Sequence, residues 1–185
     1  MLNIPNTLTL FRIALIPVFV IVFFMPGHWT APASAGIFAL AAITDWFDGY
    51  LARRLQQSSP FGAFLDPVAD KLMVAVALVL LVLAHPHWYV AIAAAVIIGR
   101  EITVSALREW MAEMGERGIV AVSLLGKVKT ATQMVAITLM LFRWSLGGFP
   151  VYLLGLVLVF LAALLTLWSM TAYLRAAWPR MQAHG

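Results

Sequence analysis

Cysteine is absent from the 185-residue sequence, which excludes disulfides, thiolate metal sites and a cysteine nucleophile. Charge is scarce too: Asp, Glu, Lys and Arg make up 11% of the chain, and only 8 residues are acidic. A composition that poor in charge excludes an ordinary water-soluble enzyme. The balance is basic, +4 with a pI near 9.9. No basic patch interleaved with aromatics stands outside the apolar segments, however, so nucleic acid is not an expected partner. What is present is hydrocarbon: 63% of residues are hydrophobic, and the mean hydropathy of +0.96 places a chain of single-domain length in a membrane.

A helix needs about 20 mostly apolar residues to cross the hydrocarbon core. Six segments qualify, near 8–25, 33–55, 61–84, 87–112, 127–144 and 150–176, separated by Pro, Gly or charge clusters. The expected fold is all-α: a polytopic six-transmembrane-helix bundle forming one membrane domain over 1–185. The connections at 26–32 and 85–88 carry no Lys or Arg, and 145–149 follows the lone Arg143. Arg12, Arg53, Arg54, Arg108, Arg117, Lys127, Lys129, Arg175 and Arg180 collect on the other side, which by the positive-inside rule makes both termini cytoplasmic. Of these, Arg117, Arg175 and Arg180 read as orientation signals. Trp29, Trp88, Tyr89 and Trp144 then fall at the outer interface.

The stretch 13–25 followed by "ASA" at 33–35 has the outline of a signal peptide. Its only early side-chain cation is Arg12, and cleavage would remove one of the six spans, so it reads as a span. The opening "NIPNTLTLFRI" reads as a short interfacial lead-in with Leu2, Ile4, Leu8 and Phe11 as its apolar members.

Half of the acidic residues lie in one stretch, "TDWFDGYLARRLQQSSPFGAFLDPVADK", between two apolar spans. A charged side chain at mid-bilayer costs about 2.5–3.5 kcal/mol on insertion scales, so these carboxylates need partners. Side chains three or four apart share a helix face. Asp45, Asp48, Gly49 and Ala52 therefore form one stripe, and Gly62, Asp66 and Asp70 another, able to face each other across a short turn. Carboxylate oxygens suit hard divalent cations, and Mg²⁺ is commonly shared between carboxylates and substrate phosphates. Two dications would cancel four aspartates. Small residues beside the acids let a phosphorylated ligand approach the backbone. A structural reading pairs Asp45 and Asp48 with Arg53, Arg54 or Lys71 and leaves the glycines to helix packing.

The pattern Asp45-x2-Asp48-Gly49-x2-Ala52-Arg53-x8-Gly62-x3-Asp66-x3-Asp70 resembles the complete signature of the CDP-alcohol phosphotransferase family, over 26 residues. The resemblance implies a cytidine-diphosphate donor, two divalent cations (Mg²⁺ or Mn²⁺) held by Asp45, Asp48, Asp66 and Asp70, and transfer of a phosphatidyl group to an alcohol with release of CMP. It makes Asp70 the general base and places Gly49, Ala52, Arg53 and Gly62 at the donor, CDP-diacylglycerol. It further implies a homodimer among membrane lipids, in a bacterial inner membrane with its active site facing the cytoplasm. A lateral opening toward lipid is expected. Pro17 and Pro67 are candidate kinks, Pro67 aiming the carboxylate beside it.

Arg100 and Glu101 sit well inside the fourth span, and neighbours one apart point about 100° apart. They are therefore not expected to satisfy each other. With Arg108, Lys127 and Lys129 near the same face, Arg100 suits a phosphate-bearing acceptor. "GREITVSALREW", "GKVKTATQM" and the opening segment resemble a branch of the family whose acceptor is sn-glycerol 3-phosphate. That resemblance implies Arg100, Arg108, Lys127 and Lys129 as contacts to the acceptor phosphate. Other acceptors within the family (phosphatidylglycerol, inositol phosphate or serine) are the nearest alternative. A divalent-cation transporter is the alternative from another class, disfavoured because the acids cluster toward one face.

Overall fold

In the computed structural model the protein is all-helical, described over residues 4–55, 60–114, 124–145 and 147–184. Six helices follow one another among the described residues: α1 Ile4–Phe24, α2 Thr30–Leu55, α3 Pro60–Ala84, α4 Trp88–Glu113, α5 Leu124–Phe142 and α6 Val151–His184. Four of them are long and apolar enough to cross a bilayer, with spanning stretches Asn6–Phe24, Phe64–Ala84, Trp88–Glu113 and Val151–Arg175. α2 has the length, but its C-terminal half carries Asp45, Asp48, Arg53 and Arg54. The apolar part of α5, Val128–Phe142, is shorter. Pro17 and Pro67 both lie inside continuous helices, α1 and α3.

The residues expected as a lead-in form, from Ile4 onward, the first turns of α1, continuous with its apolar stretch. Asn6, Thr9 and Arg12 are buried there while Leu10 and Phe11 are exposed. Three polar residues at i, i+3 and i+6 make one face, and that face turns inward.

α1 packs on α2 and α3, α5 on α2 and α6, and α4 on α6 and α3. One apolar core runs through the bundle, with Phe19, Phe38, Leu78, Leu81, Ile97, Ile137, Leu141 and Val159 buried. A smaller cluster of Val104, Leu107, Met111 and Tyr173 joins α4 to α6. Large apolar side chains such as Ile21, Phe64, Val79, Leu164 and Trp168 face outward. The surface is thus as apolar as the interior, the pattern of a protein solvated by lipid.

The two ends of the bundle differ in chemistry. At one end the connections α1–α2, α3–α4 and α5–α6 gather aromatic contacts: Arg143 lies 4.8 Å from the Phe23 ring centroid, and the rings of His85 and Tyr152 are 4.3 Å apart. Gly27 makes the α1–α2 turn at φ 126°, a conformation that favours glycine. Trp29, Trp88 and Trp144 are exposed at this end. The acids and most cations lie toward the other.

α5 and α6 approach closely at Gly155. A Cβ there would fall 2.9 Å from the Ala136 carbonyl oxygen and the Met140 backbone nitrogen. Because backbone cannot swing away, the helices would have to separate, a cost on the order of 1–3 kcal/mol. Gly155→Ala is accordingly expected to lower the thermal unfolding midpoint in detergent, whereas Gly36→Ala, where a Cβ meets nothing within 4 Å, leaves it within about 0.5 kcal/mol of wild type.

Candidate functional site

Each helix adjoining the acidic end contributes polar groups at a depth of a few turns. Asp45 lies ten residues before the end of α2 and Asp70 ten after the start of α3, about 15 Å in each case at the helical rise. Asp45, Asp66 and Asp70 are electrostatic neighbours, Asp66 acting on Asp45 and Asp45 on Asp70. The facing of the α2 and α3 stripes expected from their spacing is thus realised for these three.

Their protein partners come from α1. Arg12 Nη1 donates to Asp45 Oδ1 at 2.7 Å, from a side chain that is 1% exposed. Thr9 Oγ1 donates to Asp66 Oδ1. The structural reading of the sequence does not offer Arg12 to Asp45; Arg12 shares the inward face of α1 with Thr9, while the side chains of Arg53 and Arg54 lie outside the described residues. A small cavity opens beside Asp70, lined by Arg12, Phe38, Ala41, Ala42, Met73 and Met134. Gly62 is buried at the start of α3. The side chains of Asp48, Gly49, Ala52, Arg53 and Lys127 lie outside the described residues.

The donor chemistry suits hard divalent cations: oxygen-only carboxylates, held near one another in an apolar bundle. Among the described residues no three His, Cys, Asp or Glu side chains stand close enough to enclose an ion. Asp48, the remaining acid of the stretch, is not among those side chains.

A second polar cluster joins α4, α5 and α6. Glu101 Oε1 accepts from Lys129 Nζ at 2.5 Å and from Arg100 Nη1 at 3.1 Å. Arg100 and Glu101 therefore do pair, contrary to the expectation from their 100° separation. The arginine side chain is long enough to reach round the helix, and Lys129 from α5 closes the other side. Arg100 Nη2 also donates to Ser169 Oγ at 2.8 Å. Its guanidinium carbon lies 5.6 Å from the Tyr173 ring centroid, and that of Arg108 5.7 Å from the same ring. One aromatic ring thus gathers two guanidiniums about two turns apart on α4, within cation–π reach. Arg100 and Lys129 are buried and Arg108 is exposed. The two clusters adjoin electrostatically: Glu101 and Lys71 act on Asp70, and Asp70 on Lys129.

Sequence reading missed Thr9 and Arg12 as partners of the acids, and Ser169 and Tyr173 as partners of Arg100. For α1 the signal was available in the i, i+3, i+6 spacing of Asn6, Thr9 and Arg12. For α6 there was none, since Ser169 and Tyr173 stand on a helix whose facing residues only the fold supplies.

The chain matches the family description "CDP-alcohol phosphatidyltransferase" over residues 2–170; it belongs to that family. Enzymes of the family generally use divalent cations. Relatives named CDP-diacylglycerol–glycerol-3-phosphate 3-phosphatidyltransferase, from Escherichia coli strain K12, Salmonella paratyphi A and Shigella flexneri serotype 5b, are each 58% identical to it over 175 residues, covering 95% of this chain and 94% of the relative.

Glu101 is the counter-ion shared by two cations, and hydrogen bonds to charged groups contribute about 1.5–3 kcal/mol each. Glu101→Ala is expected to lower thermal stability by about 2 kcal/mol, read from unfolding in nanodiscs. Glu109→Ala, on the exposed face of the same helix, serves as the control expected to change it by less than about 0.5 kcal/mol.

Proposed function

We propose that this protein transfers the phosphatidyl group of CDP-diacylglycerol to sn-glycerol 3-phosphate, giving phosphatidylglycerophosphate and CMP. The observation carrying this reading is the adjacency of the two polar clusters, within a chain 58% identical to enzymes named for that reaction. One cluster is acidic, suited to the cations of a pyrophosphate donor. The other is basic, suited to an acceptor phosphate.

In this reading the whole chain, 1–185, is one membrane domain with six spans and cytoplasmic termini, in a bacterial inner membrane, acting as a homodimer with its site facing the cytoplasm. The donor's acyl chains lie in the leaflet while its nucleotide reaches the polar end of the bundle through a lateral opening. Asp45, Asp48, Asp66 and Asp70 would hold two divalent cations, Mg²⁺ or Mn²⁺, whose charge would supply Lewis-acid stabilisation to the pyrophosphate and the departing CMP. Gly49, Ala52 and Gly62 give the donor room against the backbone, and Arg53 balances its charge. Arg100, Arg108, Lys127 and Lys129 bind the acceptor phosphate. Asp70, acting as general base, accepts the proton of the acceptor's primary hydroxyl. That oxygen bonds to the phosphorus bearing diacylglycerol as the bond from phosphorus to the CMP oxygen breaks.

Purified protein in nanodiscs, given CDP-diacylglycerol, divalent cation and a panel of acceptors, is expected to release CMP with sn-glycerol 3-phosphate and not with inositol phosphate, serine or phosphatidylglycerol. Asp70→Asn should reduce turnover by at least about 10²-fold, the typical loss of a general base, while donor binding persists. Release supported best by another acceptor would reassign the branch. Absence of release with every acceptor would favour a cation transporter.

A further inference from the structure

The family signature spans residues 45–70, yet two of its acids, Asp45 and Asp66, have partners on α1, outside it. Two polar bonds cross from α1, one to each neighbouring helix: Arg12 to Asp45 on α2 and Thr9 to Asp66 on α3. Both end on Oδ1 of the acid. Both donors are 1% exposed, lie three residues apart, and share the inward face of a helix that packs on α2 and α3 together.

An unrestrained carboxylate rotates about its terminal torsion through a broad range of angles. A donor on one oxygen fixes that rotation and leaves the second oxygen's lone pairs to a cation. Arg12 brings charge as well as a fork, and Thr9 brings a hydroxyl with little bulk. Because one rigid helix carries both donors, their separation is set by a single helical turn. The mutual placement of the α2 and α3 acids is thereby fixed too. Outer partners of this kind tune metal sites: removing one typically lowers affinity 10–100-fold.

We propose that Thr9 and Arg12 are positioning residues for the cation-binding carboxylates, α1 acting as a strap that aims Asp66 and Asp45 at the ions. The inference rests on the divalent-cation reading above but not on the identity of the acceptor.

The test is Mn²⁺ binding to the purified full chain in nanodiscs, measured by electron paramagnetic resonance of free Mn²⁺ with neither lipid donor nor acceptor present. Thr9→Val, which keeps the shape and removes the hydroxyl, is expected to weaken binding about 10-fold, and Thr9→Ser to retain wild-type affinity. Arg12→Lys keeps the charge but exchanges the planar fork for a point donor. It is expected to weaken Mn²⁺ by a similar factor, and serves as the second variant should Thr9→Val fail to fold. A Thr9→Val or Arg12→Lys protein that unfolds earlier in chelator yet binds Mn²⁺ as tightly as wild type has lost a structural contact only, and overturns the proposal. Wild-type protein that takes up no Mn²⁺ overturns the cation reading itself, and this inference with it. An unexpected acceptor in the CMP-release assay leaves the binding result standing.

Discussion

A carboxylate several turns inside an apolar helix must meet positive charge or hydrogen-bond donors, or the helix does not settle there. That requirement organises this bundle more than apolar packing does. Lipid-facing and core-facing side chains are alike in hydrophobicity here, so burying Leu or Phe discriminates weakly between one helix rotation and another. Polar groups discriminate strongly. α1 presents Thr9 and Arg12 inward because Asp66 and Asp45 are there to receive them. α4 turns Arg100 toward α6 because Ser169 and Tyr173 satisfy it.

Charge matching also explains why the two clusters lie side by side. Clustered acids repel one another, and clustered cations do the same. Placing the groups in one polar end lets each set moderate the other: Lys71 and Glu101 act on Asp70, and Asp70 on Lys129. Glu101 occupies the middle position, drawing together a lysine from α5 and an arginine from α4. The arrangement places the proposed base next to the proposed acceptor site, as direct attack on the donor requires.

The helices and the acidic stretch were legible in the sequence because both are local patterns. Apolar runs bounded by Pro, Gly and charge gave segments within a few residues of α2, α3 and α4. The three- and four-residue spacing of the acids put Asp45, Asp66 and Asp70 on facing stripes, where their interaction now appears. Contacts between distant helices were not legible. The Arg12–Asp45 pair joins residues 33 apart and the Arg100–Ser169 bond residues 69 apart; neither separation has a periodicity to reveal it. The error over Arg100 and Glu101 has another cause. Direction of the Cα–Cβ bond was taken for direction of the charge, although a guanidinium at the end of a long flexible stem reaches well beyond its own face.

The polar end is held in place by packing at the apolar end. α5 and α6 come together at Gly155, where backbone nearly touches backbone, and their other ends carry Lys129 and Tyr173 respectively. Two helices in such contact behave as one rigid body, since sliding either would drive side chains into the other's backbone. Lys129 then keeps its place beside Glu101, and Tyr173 its place against both guanidiniums of α4. α1 serves the acids on α2 and α3 in the corresponding way, through two polar bonds instead of a close backbone approach. A candidate site assembled from six helices can hold its geometry because each polar group stands on an element fixed elsewhere.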